Sequence, residues 1–217
     1  MADGTETEIK LRVQDLAAVR ARLRKLGARP GPRLHEVNVL FDSPQGALRA
    51  SGTLLRARVE RPAARGPAPS KRTAKGEPHE RAEQWMFPAR GPQRTIVTWK
   101  GPSAETSSYK VRREIEFEAT DSHALREVFS ALGLAPAFFY EKIRTTYRTA
   151  RIPGLVITVD ETPVGVFLEL EGRPKAIDRA RKALGYRASD TILLSYGALY
   201  AADCAARGVP PTHMLFQ

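Results

Sequence analysis

The sequence predicts an α+β chain whose eight strands curl into a closed antiparallel barrel with helices packed outside. Three observations predict it. Eight segments alternate charged and apolar residues with period two, so each strand has one charged face and one apolar face. The segments that read as helices carry apolar stripes that match the apolar faces of the strands. The chain also repeats itself. Sliding it by 106 residues puts Glu8-Ile9 on Glu114-Ile115, Asp15 on Asp121, Leu26-Gly27 on Leu132-Gly133 and Pro30 on Pro136. Cap, stop and proline agree in one register, so two related halves each read strand, helix, strand, strand.

Thr5–Gln14 is the first strand. It sets Glu6, Glu8 and Lys10 on one face against Ile9, Leu11 and Val13 on the other. Glu and Lys are weak strand formers, so propensity did not select them. Asp15–Leu26 reads as a helix capped by Asp15 and closed by Gly27, with a basic outer face of Arg20, Arg22, Arg24 and Lys25. His35–Asp42 and Thr53–Glu60 are strands, the second with Arg56 and Arg58 on its charged face. Residues 61–94 hold six prolines, eight bases and three acids. Such a stretch lacks the apolar content to fold alone and reads as a mobile insertion, in which Trp85-Met86-Phe87 is the one cluster able to dock. Thr95–Lys100 and Arg112–Glu118 follow as strands, then a helix over Asp121–Leu132. Glu141–Thr149, Leu155–Asp160 and Val166–Glu171 complete the eight strands. Helices over Pro174–Leu184 and Asp190–Ala206 end the domain. The expected organisation is one domain over residues 1–206, interrupted at 61–94, with a tail at 207–217.

The charged faces together hold Glu6, Glu8, Glu114, Glu116, Asp160, Glu169 and Glu171 with Lys10, Arg56, Arg58, Lys100, Arg112, Lys142, Arg144 and Arg148. An open sheet facing water does not need so dense and balanced a set. A sheet curled around a lumen can use it, provided something highly charged occupies the lumen. Clustered carboxylates call for a cation, and oxygen-only ligands without His or Cys favour Mg²⁺ or Mn²⁺ over zinc. Clustered Arg and Lys call for an anion, and the guanidinium fork suits phosphate oxygens. The two sets together point to a metal–polyphosphate ligand inside a barrel.

Composition narrows the classes. Cys204 is the only cysteine, so no internal disulfide and no cysteine-based zinc site can form. No apolar run reaches membrane length, and the expectation is a soluble protein of a reducing compartment, most simply the cytoplasm. The net charge of +11 calls for an anionic partner; nucleic acid, acidic lipid and phosphorylated small molecules all fit it.

These residues resemble the CYTH family, also called triphosphate tunnel metalloenzymes. The resemblance rests on Glu6-Thr7-Glu8-Ile9-Lys10 (ExExK), Leu55-Arg56-Ala57-Arg58 (LRxR), Thr98-Trp99-Lys100, Glu114-Ile115-Glu116, Lys142-Ile143-Arg144, Thr158-Val159-Asp160 and Glu169-Leu170-Glu171. It implies a closed tunnel. Within it, Lys10, Arg56, Arg58, Lys100, Arg112, Lys142, Arg144 and Arg148 hold a triphosphate. Glu6, Glu8, Asp160, Glu169 and Glu171 hold Mg²⁺ or Mn²⁺, and Glu114, Glu116 and Lys100 serve the chemistry. Family members hydrolyse inorganic or thiamine triphosphate or RNA 5′-triphosphate ends, or cyclise ATP. The cyclase-like HxxDxYxD pattern is broken here by Asn38 and Leu40 in His35–Asp42. The expectation is therefore a metal-dependent triphosphatase on a small triphosphate, monomeric or homodimeric. An adenylate cyclase is the alternative, and a non-catalytic polyphosphate or RNA binder the third reading.

Overall fold

A computed structural model describes residues 4–64, 66, 78–88, 94–105 and 108–216. The first half runs β1 (Thr5–Val13), α1 (Leu16–Lys25), β2 (Arg29–Asp42), the single turn α2 (Ala47–Ala50), β3 (Leu54–Pro62), α3 (Pro78–Met86) and β4 (Thr95–Lys100). The second runs β5 (Ala104–Glu105), β6 (Lys110–Ala119), α4 (Ser122–Ala131), β7 (Ala135–Arg148), β8 (Val156–Thr162), β9 (Gly165–Glu171), α5 (Pro174–Ala183), β10 (Thr191–Ile192) and α6 (Tyr196–Ala206). Eight strands form the ring β1-β9-β8-β7-β2-β3-β4-β6, and β6 closes it by pairing back to β1. Every ring pairing is antiparallel. The predicted eight-stranded barrel is the fold found; β5 and β10 are two-residue additions to it.

The repeat is built into the backbone. α1 and α4, and likewise β2 and β7, are offset by 106 residues at both ends. Asp15 accepts from the Ala18 amide at 2.9 Å, and Asp121 accepts from those of His123 and Ala124. Each cap satisfies donors that a helix start leaves free. Gly27 and Gly133 end the two helices at φ +70° and +76°, where a side chain is strained.

The apolar strand faces point outward and are covered. Ile9, Leu11, Ile157, Leu168 and Leu170 are buried under Val19 and Leu23 of α1 and Ile177, Ala180 and Leu184 of α5. Val37, Val39, Phe41, Val59 and Phe139 are buried with Phe129 of α4, Ala82 and Met86 of α3, and Phe87. Cys204 is buried in α6, as its sequence setting suggests. Helices outside leave the inner wall to the polar faces.

Three expectations need correction. The segment 61–94 is not wholly a mobile connection: α3 lies within it, and Ala82 and Met86 are fully buried on the barrel. Residues 65, 67–77 and 89–93 lie outside the described residues. Nor does all of the tail at 207–217 stand clear of the barrel. The Met214 amide donates to the Phe139 carbonyl (3.0 Å), the Glu141 amide donates to the Met214 carbonyl (2.9 Å), and Leu215 and Phe216 are buried. β8 stops pairing with β7 at Ile143, which leaves the Phe139–Glu141 edge for these residues to satisfy. The last helix starts at Tyr196 rather than Asp190, because Thr191 and Ile192 pair with Leu11 and Lys10. Among the described residues, no helix is long and apolar enough to cross a membrane.

Candidate functional site

The barrel encloses a cavity of about 580 Å³. Fourteen of the fifteen residues expected at the site line it: Glu6, Glu8, Lys10, Arg56, Arg58, Lys100, Arg112, Glu114, Glu116, Lys142, Arg144, Arg148, Glu169 and Glu171. Strand alternation brings them together. Within each strand they share one parity, even-numbered in β1, β3, β4, β6 and β7 and odd-numbered in β9, and closure turns all those faces inward.

Register sets the pairs. Lys10 lies opposite Glu169, and Lys100 opposite Glu114. Their Lys Nζ to carboxylate distances are 3.1 and 3.0 Å, and Lys100 also reaches Glu6 at 2.5 Å. Arg144 pairs with Asp160 and Glu169. Arg56 donates to the Thr98 hydroxyl at 2.9 Å, and both Arg56 and Arg58 approach Glu116. Arg112 and Arg148 line the cavity with no carboxylate at ion-pair distance among the described residues.

The fifteenth residue, Asp160, sits behind the wall rather than in it. It is fully buried and accepts from Lys142 (3.0 Å), Arg144 (2.7 Å) and the Tyr196 hydroxyl (2.8 Å). Both of its oxygens are engaged by these donors, so it lies against Lys142 and Arg144 rather than in the cavity lining.

Sequence reasoning missed Glu36, Glu60, Lys110, Tyr140 and Tyr196, all of which line the cavity. Glu36 is 1% exposed and lies 3.2 Å from Lys142, 3.6 Å from Arg144 and 3.8 Å from Arg58. Burial pushes its carboxyl up, but those three cations outweigh it and hold it down at about 2. Tyr196, at the start of α6, lies under the Lys10 ammonium, which is 4.3 Å from its ring centroid. Alternation could have found Glu36, Glu60 and Lys110, since each continues the inward parity of a recognised strand. Nothing local marks Tyr196, which a helix brings in from outside the barrel.

The walls differ in sign. β1 and β9 supply four carboxylates and one ammonium, whereas β7 and β3 supply five cations and one carboxylate. β7 and β3 flank β2, which lies four strands from β1 in either direction around the ring. On the acidic wall, Glu8 and Glu171 are directly opposite each other, an arrangement that costs stability unless a proton or cation intervenes. Burial first, and then Glu6, Glu114 and Glu8, push the Glu171 carboxyl up to about 7. A carboxyl raised by acidic neighbours, among oxygen-only donors, fits a hard divalent cation. Among the described residues no three such groups yet stand in a coordinating arrangement. Glu6 is held by Lys100, and Glu8 lies 3.5 Å from Lys110.

The model of one protein family, described as the CYTH domain, matches residues 4–186. The chain belongs to the CYTH domain family. The CYTH match spans both halves of the barrel and ends just beyond α5. A Methanocaldococcus jannaschii protein named "Putative adenylate cyclase" is 27% identical over 179 residues, covering 82% of this chain and 83% of that one. A Pyrococcus horikoshii structure superposes with a TM-score of 0.66 at 21% identity, over 91% of this chain and 99% of that chain. A Hippeastrum structure described as a "Putative adenylyl cyclase" with "a dominant triphosphatase activity" superposes at 0.57 and 17% identity, over 95% and 97%. These structural likenesses extend the CYTH fold to nearly the whole chain.

Proposed function

We propose that this CYTH protein is a divalent-metal-dependent triphosphatase that draws inorganic tripolyphosphate or an organic triphosphate into its tunnel. The observation that carries the reading is the division of the lumen into a wall rich in carboxylates and a facing wall rich in Arg and Lys. Family membership supports enzymatic action on triphosphates, and the Hippeastrum likeness supports hydrolysis.

Arg56, Arg58, Lys142 and Arg144 bind phosphate oxygens from the β3 and β7 side. Asp160 from behind and Glu36 from the neighbouring strand fix Lys142 and Arg144, so their charge is oriented before substrate arrives. Lys10 and Lys100 turn from Glu169, Glu6 and Glu114 to the polyanion. That exchange, with Lys110 turning from Glu8 and Arg144 from Glu169, would leave Glu6, Glu8, Glu169 and Glu171 free to hold Mg²⁺ or Mn²⁺. An ion held there would supply charge neutralisation at the transferred phosphoryl group. Substrate and metal therefore assist each other: each takes the partner the other releases. Glu114 and Glu116 accept protons from a water aligned with the terminal phosphorus, and Lys100 stabilises the leaving oxygen.

A specific observation favours a second reading, adenylate cyclase. Phe138 and Tyr140 line one end of the tunnel with Leu40, their rings 5.9 Å apart and 24° from parallel. Such a pair of rings could stack a nucleobase. The relative at 27% identity carries a cyclase name. Calorimetric titration with a non-hydrolysable tripolyphosphate analogue tests the coupling. Affinity that rises at least tenfold with Mg²⁺ supports the proposal, and metal-independent affinity contradicts it.

A further inference from the structure

The tunnel does not account for the charge of this protein. Nine bases line it, against eight carboxylates, with Asp160 behind the wall, so its net charge is close to zero. The excess of +11 lies elsewhere. Residues 15–29, 151 and 173–190 hold twelve bases and three acids, and the structure gathers them on one face. α1 and α5 pack side by side on the barrel through Val19, Leu23, Ile177 and Leu184. Arg22 of α1 donates to the Leu184 carbonyl at the end of α5 (2.8 Å), and Arg151 donates to the Lys25 carbonyl at the end of α1 (2.9 Å).

Arg24, Lys25, Arg173, Lys175, Arg179 and Lys182 are exposed on this face. Among the described residues none of the six has a carboxylate at ion-pair distance. The bases here that are paired are Arg20 with Glu161, Arg181 with Asp178 and Arg187 with Asp190. Repulsion among so many free cations destabilises the folded chain and is relieved by a polyanion.

We infer that the α1–α5 face binds a nucleic-acid strand through its phosphodiester backbone. Guanidinium groups suit phosphate oxygens. Among the described residues the exposed large hydrophobic side chains all lie elsewhere, at Ile115, Phe117, Val128, Leu132, Leu193, Leu194 and Val209. A face with no apolar side chain to insert is poorly suited to a membrane surface. Among the described residues its aromatic rings, Tyr109 and Tyr186, are partly buried against the hydrophobic cluster beneath, so binding is indifferent to sequence.

The test uses the full chain in EDTA and a fluorescein-labelled, mixed-sequence RNA of about 30 nucleotides, read by fluorescence anisotropy. A single strand engaging six bases gives a log–log salt slope of about −4, or about 300-fold weaker binding at 200 mM than at 50 mM salt. The triple variant K175E/R179E/K182E is expected to make the slope shallower by about 2 and to weaken binding at least tenfold at 50 mM. The double variant R24E/K25E is expected to act in the same direction. Both should melt no lower than wild type and keep its tripolyphosphate turnover. Charge reversal at Lys71, Arg72 and Lys75, in the insertion, is expected to leave RNA binding intact. Three results overturn the inference: retained RNA binding in both helix variants, loss only in the insertion variant, or binding to vesicles of phosphatidylcholine with about 30% phosphatidylserine but not to RNA.

Discussion

Replacing Glu36 with Gln removes the one carboxylate that three tunnel cations share. Glu36 and Lys142 are nearly inaccessible, and Arg58 and Arg144 are mostly buried. The Glu36 carboxyl falls from 4.5 to about 2 on folding, a change worth about 3 kcal/mol at 1.36 kcal/mol per unit. An independent route, breaking a buried ion pair from one side, gives about 3–5 kcal/mol. For a chain of this size about 3 kcal/mol lowers the melting temperature by about 6–12 °C. The sign in pH follows from the direction of the shift. A depressed carboxyl contributes its stability above about pH 4.5 and loses it as pH falls toward 2. Urea unfolding of wild type and Glu36→Gln at pH 7 and pH 3 measures both quantities. The gap should be large at pH 7 and much smaller at pH 3, and tripolyphosphate should narrow it at pH 7 by replacing the lost anion. A gap below about 1 kcal/mol at pH 7, or one unchanged at pH 3, refutes the claim that Glu36 anchors the cationic wall.

Two further outcomes are expected. The Glu171 carboxyl is raised to about 7, so the metal-free protein loses stability as pH rises from about 4.5 through 7. Glu171→Gln should therefore melt higher than wild type at pH 8 in EDTA and equally at pH 4, while losing metal-dependent turnover; a lower melting temperature at pH 8 contradicts the placement of its acidic neighbours. Met86→Ala opens a cavity beneath α3, where the side chain is fully buried, and should cost about 2–4 kcal/mol in urea unfolding; a cost below about 0.5 kcal/mol would mean that α3 does not pack on the barrel.

Most of the fold was legible because alternation with period two leaves few choices. Thr95–Lys100 has the same bounds in sequence and structure, and the paired Asp caps located both repeat helices. The misses have physical causes. β2 begins six residues before the expected His35, because Pro30 and Pro32 concealed a stretch that pairs with the end of β7 across a register break. The composition of 61–94 concealed α3, since a helix packed by Ala82 and Met86 needs only two or three apolar residues once a barrel supplies the other side. At the site, parity placed Asp160 on the inner face but could not tell that its neighbours' side chains close over it. Glu36 has the same inward parity, but Asn38 and Leu40 interrupt the charged face of its strand and hide it. Tyr196 depends on where α6 docks, which no local pattern encodes.

The central claim is hydrolysis of a triphosphate in the tunnel with a divalent metal. The most direct measurement supplies tripolyphosphate and ATP separately, each with Mg²⁺, with Mn²⁺ and with EDTA, and resolves products by chromatography. The account predicts orthophosphate from tripolyphosphate with either metal, none in EDTA, and no cyclic AMP from ATP. Cyclic AMP and pyrophosphate in equal amounts, formed faster than tripolyphosphate is cleaved, would contradict it in favour of the cyclase.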